Sequence, residues 1–146
     1  MLKGFNYRIE GLQGSILRVK LRHLERWTEA RRQHAKEYAG HLRDSGVEMP
    51  FDAPYARHVY HVYAVRTSDR ESLQRVLQSN GIATGIHYPV PVHLQRAYAD
   101  LGYKQGDFPE SERAANEVLS LPMYPELSQT DVELIAAAVK QDAYVI

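Results

Sequence analysis

Residues 11–44 contain no proline, and within them Leu17, Leu21, Leu24, Thr28, Arg31, Ala35, Tyr38 and Leu42 recur in steps of three and four. That spacing puts them on one stripe of an amphipathic helix, with only Thr28 and Arg31 breaking its apolarity. Arg18, Lys20, Arg22, Arg26, Glu29, Arg32 and Lys36 fall on the other faces and read as a solvated surface. Ser45-Gly46 follows at once, with the glycine suited to the left-handed residue that ends a helix. A helix of about thirty residues is more than twice the usual length. It needs something larger than a small domain to lie along.

The chain has 146 residues, which predicts one domain able to fold without metal or disulfide staples. Its 18 Lys+Arg balance 18 Asp+Glu, so the broad basic footprint of a nucleic-acid or anionic-membrane binder is missing. The lack of cysteine rules out disulfides, Cys-ligated zinc, iron–sulfur clusters and a thiol nucleophile. Met1-Leu2-Lys3-Gly4-Phe5-Asn6-Tyr7-Arg8 lacks the apolar segment of a secretory signal, and no run approaches the roughly 18 apolar residues of a membrane span. A cytoplasmic protein with no nucleic-acid or membrane partner is expected.

After a proline-punctuated loop at 47–57, residues 58–66 are rich in β-branched and aromatic side chains and predict a strand covered on both faces. Ser68 or Asp69 caps a helix to about residue 79 with Leu73, Val76 and Leu77 buried, and Asn80-Gly81 ends it. A second strand is expected at 82–88 and a short helix at 94–101. Pro109 opens a helix over 110–117, and a short third strand at 119–121 closes at Pro122. Ser128 caps a last helix with Leu134, Ile135, Ala138 and Val139 inside. Three strands with helices packed on them make a small α/β or α+β domain.

Seven histidines invite a metal reading, but His58 and His61 fall on opposite faces of the expected strand and no HExxH or carboxylate cluster accompanies them. No metal site is expected; His58 and His61 read as half-buried, hydrogen-bonded side chains, and His23, His34 and His41 as surface residues. Ahead of the long helix, Asn6 and Arg8 fall on the same side of an extended arm, beside the helix-opening Gly11-Leu12-Gln13-Gly14. An amide and a guanidinium so placed suit a phosphate or carboxylate; for Arg8 by itself an ion pair that pins the arm is the favoured role. The most unusual stretch is Thr84-Gly85-Ile86-His87-Tyr88-Pro89-Val90-Pro91-Val92-His93, two imidazoles and a phenol around two stiffening prolines. Its chemistry fits a binding loop and a self-packed turn equally well.

At these two segments the sequence resembles the DegT/DnrJ/EryC1/StrS aminotransferases. Gly4-Phe5-Asn6-Tyr7-Arg8 with Gly11-Leu12-Gln13-Gly14 is similar to the junction entering their C-terminal domain, and Gly85-Ile86-His87-Tyr88-Pro89 with Pro91 and His93-Leu94-Gln95 to their substrate-side loop. Phe108-Pro109, Glu112-Arg113 and Leu119-Ser120-Leu121-Pro122-Met123-Tyr124-Pro125 complete the pattern in order, from Gly4 to about Gln141. The resemblance implies the small C-terminal domain of a fold-type-I, pyridoxal-phosphate-dependent nucleotide-sugar aminotransferase: a junction arm and bridging helix at 1–45, then a small domain at 46–146. The large cofactor-binding domain would precede Met1.

The activity implied is amination of a nucleotide-linked keto sugar by an amino-acid donor such as glutamate, in amino-sugar, polysaccharide or antibiotic biosynthesis, by a homodimer. Asn6 would reach the cofactor phosphate of the partner subunit, Arg8 would organise the junction, and His87, Tyr88 and His93 would border the nucleotide sugar. None of Lys3, Lys20, Lys36, Lys104 and Lys140 sits in the family's lysine motif, so no catalytic residue is assigned and the chain alone is expected to be inactive, with no tight cofactor binding. The alternatives are an autonomous binding or complementing module with this fold, and a fragment of a family sugar dehydratase.

Overall fold

The computed structural model describes residues 9–143. The expected long helix is two helices, α1 over Gly11–Leu21 and α2 over Leu24–His41. At the break the Arg22 and His23 N–H groups donate three residues back, to Val19 and Lys20, instead of four. Burial changes at the same place. Helix α1 buries no residue, whereas α2 buries Thr28, Ala35 and Tyr38. Gly46 takes the left-handed conformation expected of it, φ 79°, and Asp44 joins it at 62°.

The sheet has two strands, not the expected three. β1 (Tyr63–Arg66) runs antiparallel to β2 (Val118–Leu121), pairing Tyr63 with Leu121 and Arg66 with Val118. The expected strand at 58–66 loses its first half for a visible reason. Arg31 Nε and Arg32 Nη1 on α2 donate to the Val59 and His58 carbonyls at 3.0 and 2.7 Å, so those groups do not serve a ladder. Tyr60 has φ 47°, a left-handed value that no strand contains. His58 and His61 are correspondingly exposed rather than half-buried. The expected strand at 82–88 shrinks to one bridge, in which Gly85 and Ser120 exchange backbone hydrogen bonds of 3.1 and 2.7 Å. Beyond it Pro89 and Pro91 have no N–H to continue the pairing. At the sheet's other edge Glu48 makes the equivalent bridge to Arg66.

α3 (Arg70–Ser79) is capped as the sequence requires, the Asp69 side chain accepting from the Ser72 N–H at 2.9 Å. Leu73 and Leu77 are buried and Val76 is half-buried. The short helix expected at 94–101 is a pair of 3-10 turns, Val92–Leu94 and Arg96–Leu101, the second ending on left-handed Gly102. α4 (Pro109–Glu117) carries its proline and two acids in the first turn, where unpaired N–H groups and the helix dipole favour them. α5 (Gln129–Ala143) opens on a reciprocal cap: the Asp131 N–H donates to Ser128 Oγ and the Ser128 N–H to Asp131 Oδ2. Its inner face is Val132, Ile135, Ala136, Ala138 and Val139; Leu134, expected inside, is 55% exposed.

The core lies where α2, α3 and α5 meet the sheet, around Leu42, Val65, Leu73, Leu77, Leu119 and Val139. Tyr38 crosses it, stacked on Tyr63 at 4.8 Å between centroids, with its hydroxyl donating to the Pro122 carbonyl at 3.0 Å. Burial pushes both phenols well above the ordinary tyrosine range. Tyr38 thereby fixes the segment that leaves β2, the strand on which the candidate site is built.

Candidate functional site

The proline-rich loop, the 3-10 turns and α4 line an open cavity of about 530 Å³, with His87, Tyr88, Pro91, His93, Tyr98 and Phe108 among its walls. Mostly apolar walls carrying a few hydrogen-bonding groups make a concave site of the size that takes a small organic ligand.

Local chemistry holds His87 in place. The Gly85–Ser120 bridge brings the loop against β2, and His87 Nδ1 then lies 2.9 Å from Ser120 Oγ. The imidazole folds back over Gly85 so closely that a Cβ there would stand 2.7 Å from His87 Cε1. Only glycine leaves room for that ring position. The His87–Tyr88 peptide is cis, and the two rings meet edge to face at 5.5 Å. Tyr88 is 73% exposed, a large aromatic side chain turned to solvent at the cavity mouth.

His93 lines the same cavity but its Nε2 is occupied, 2.9 Å from Glu112 Oε1 on α4. The same carboxylate oxygen accepts the N–H groups of Gly106 at 2.8 Å and Phe108 at 3.4 Å. Desolvation raises the Glu112 carboxyl, but the bonds from Gly106, His93 and Phe108 outweigh it, and the group lies below the ordinary 4.5. Phe108 packs on the His93 ring at 4.8 Å and on Tyr103 at 5.0 Å. One carboxylate thus joins the proline-rich loop, the turn at 102–108 and α4 into a single wall.

Of the residues singled out from sequence, the structure brings together His87, Tyr88 and His93. Asn6 and Arg8 lie outside the described residues. His58 and His61 stand apart from the cavity; the His58 ring accepts the Tyr60 N–H at 2.8 Å. His34, read as a surface residue, is half-buried with Nε2 3.3 Å from the Pro125 carbonyl. Among the described residues no group of three or more His, Asp or Glu side chains is placed to hold a metal ion, and no helix is long and apolar enough to cross a membrane. No described lysine lines the cavity. Ser120 and Glu112 are site residues that sequence reasoning left without a role. Their signal was present: Ser120 is a lone hydroxyl between two leucines in a strand, and Glu112 follows Pro109 at the spacing that turns a first-turn acid back toward the preceding loop.

Comparison with known proteins bears on this arrangement. The signature of the DegT/DnrJ/EryC1/StrS aminotransferase family matches residues 1–140, nearly the whole chain. The chain belongs to that family. It is 43% identical over 141 residues to a pleiotropic regulatory protein of Geobacillus stearothermophilus, covering 94% of this chain and 38% of that one. It is 38% identical over 144 residues to the dTDP-3-amino-3,6-dideoxy-alpha-D-galactopyranose transaminase of Aneurinibacillus thermoaerophilus, covering 99% of this chain and 39% of the other. The crystal structure of S. venezuelae DesV in complex with a ketimine intermediate superposes with a TM-score of 0.89 at 39% identity, over 97% of this chain and 38% of DesV. This DegT/DnrJ/EryC1/StrS family chain therefore spans less than two fifths of the length of these relatives.

Proposed function

We propose that this chain is the C-terminal portion of a pyridoxal-phosphate-dependent aminotransferase that aminates a nucleotide-linked keto sugar, with an amino acid such as glutamate as nitrogen donor. The observation that carries the reading is the cavity edged by His87 and Tyr88 in a chain matched by this family over residues 1–140. Transaminases of nucleotide sugars among the relatives support the substrate class.

Within that reading the chain binds and orients. His87 presents a ring nitrogen to an oxygen of the nucleotide sugar, Tyr88 offers a phenol and an aromatic face at the entrance, and His93 forms a wall held by Glu112. Pyridoxal phosphate, when bound, supplies the electron sink for the transamination. The described residues do not fit the cofactor's covalent anchor: Lys20, Lys36 and Lys104 are exposed, and Lys140, half-buried on α5, is not among the cavity residues. No step is assigned to them, and the chain alone is expected to be inactive. Asn6 is proposed to reach the cofactor phosphate of a partner subunit in a homodimer, with Arg8 organising the arm.

The bare apolar surface of α1 agrees with a missing domain. Leu12, Ile16, Leu17, Val19 and Leu21 are each at least half exposed. A helix that buries none of its apolar side chains belongs against a body outside the described residues. Two experiments test the proposal. Calorimetric titration with a nucleotide sugar is expected to show binding that His87→Ala weakens. Added pyridoxal phosphate is expected to give neither a shifted cofactor absorption nor turnover. Turnover by this chain alone would refute the fragment reading.

A further inference from the structure

Strand β2 hides one hydroxyl in an apolar setting. Ser120 is 5% exposed between Leu119 at 0% and Leu121 at 3%. Its backbone N–H and C=O are both committed to Gly85. Its Oγ lies 2.9 Å from Nδ1 of His87, 33 residues away in the chain, and makes no other hydrogen bond among the described residues. On the other side of the ring, His87 Nε2 has no hydrogen-bond partner among the described residues.

A hydroxyl has one proton to place, and a buried donor left unmet carries its full desolvation cost. If His87 Nδ1 were the protonated nitrogen, it would donate to Oγ and leave the hydroxyl proton without an acceptor. If the hydroxyl donates to a bare Nδ1, the buried hydroxyl proton is satisfied and the same bond fills Nδ1. The second arrangement requires the imidazole proton to sit on Nε2. We infer that Ser120 is the positioning residue for His87: its hydroxyl donates to Nδ1, holds the ring over Gly85 and fixes the neutral Nε2–H tautomer. The remaining nitrogen of this cavity-lining side chain is then a hydrogen-bond donor, suited to a phosphate or sugar oxygen. Which hydrogen bond one imidazole nitrogen makes decides what the other can do. The tautomer assignment rests on Ser120 alone; its use toward a nucleoside diphosphate rests on the function proposed above.

The test is side-chain nitrogen NMR on the histidine-labelled chain near pH 8, paired with titration by uridine diphosphate. The native protein is expected to show a bare Nδ1 and a protonated Nε2 at His87. Ser120→Ala is expected to release the ring into a mixture of tautomers and to weaken uridine diphosphate about 5-fold, the loss of one neutral hydrogen bond's preorganisation. Ser120→Thr, which keeps the hydroxyl, restores both. An Nδ1–H tautomer in the native chain overturns the inference, and that spectrum decides even if Ser120→Ala does not fold. An unchanged tautomer in folded Ser120→Ala overturns it equally. If the tautomer responds to Ser120 but His87→Ala leaves uridine diphosphate binding untouched, the substrate reading falls while the positioning role stands. If His87→Ala weakens binding and Ser120→Ala does not, the reverse holds.

Discussion

Glu112 receives His93 Nε2 at 2.9 Å across 19 residues of chain, and this bond ties the proline-rich loop to α4. Because the Glu112 carboxyl is depressed below 4.5 when folded, its contribution is fully present above that unfolded value and is lost as pH falls through the lower folded one. Glu112→Gln is therefore expected to unfold at lower urea than the native chain at pH 6, with the gap narrowing toward pH 3. Urea midpoints for both proteins across that range check it; a gap constant with pH would show that the charge is not what ties the wall.

Gly85→Ala places a methyl where the His87 ring now lies, 2.7 Å from Cε1. The ring is expected to leave Ser120 while the fold stays intact, since the side chain that must move is exposed. Uridine diphosphate binding should fall by about the same 5-fold as in Ser120→Ala, one hydrogen bond's worth. The double variant should be no weaker than either single one, because both changes break the same contact. Calorimetry on the three proteins measures this, and additive losses would contradict it.

Leu77 and Leu134 are both helical leucines, but the first is 0% exposed and the second 55%. Leu77→Ala is expected to cost about 2–5 kcal/mol through lost burial and a cavity. Leu134→Ala should stay within about 0.5 kcal/mol. Chemical denaturation of both variants compares them directly.

Helix α1 supplies no buried side chain. Replacing Leu12, Ile16 and Val19 together by glutamate should change the stability of this chain by less than about 1 kcal/mol, the scale of surface substitutions. The exposed apolar side chains of α1 also predict self-association of the native chain at high concentration, which the triple variant should reduce, read by sedimentation. A loss of several kcal/mol would mean that α1 packs on its own domain after all.

Much of the helical structure was legible because its signals are local. The Asp69 cap, Pro109 at a helix start, the Ser128–Asp131 pair and left-handed Gly46 each act within one turn of chain. The strands were legible only in part. Residues 58–62 have strand-forming side chains, but Arg31 and Arg32 reach across from α2 and take the carbonyls of His58 and Val59. Nothing in the composition of 58–62 announces that competition.

The candidate site divides along the same line. Its loop, with His87, Tyr88 and His93 between prolines, stands out in the amino-acid order, as do the family motifs around it. Which imidazole keeps a free nitrogen does not. His87 and His93 are the same residue in the same loop, yet Ser120 takes only Nδ1 of the first while Glu112 takes Nε2 of the second. Both partners arrive from β2 and α4, more than fifteen residues further along the chain. Sequence determines what one turn of backbone can satisfy by itself: caps, stops and apolar stripes. Tertiary structure decides which distant groups compete for the remaining donors and acceptors, and here that competition separates the candidate ligand-facing histidine from the one that holds up the wall.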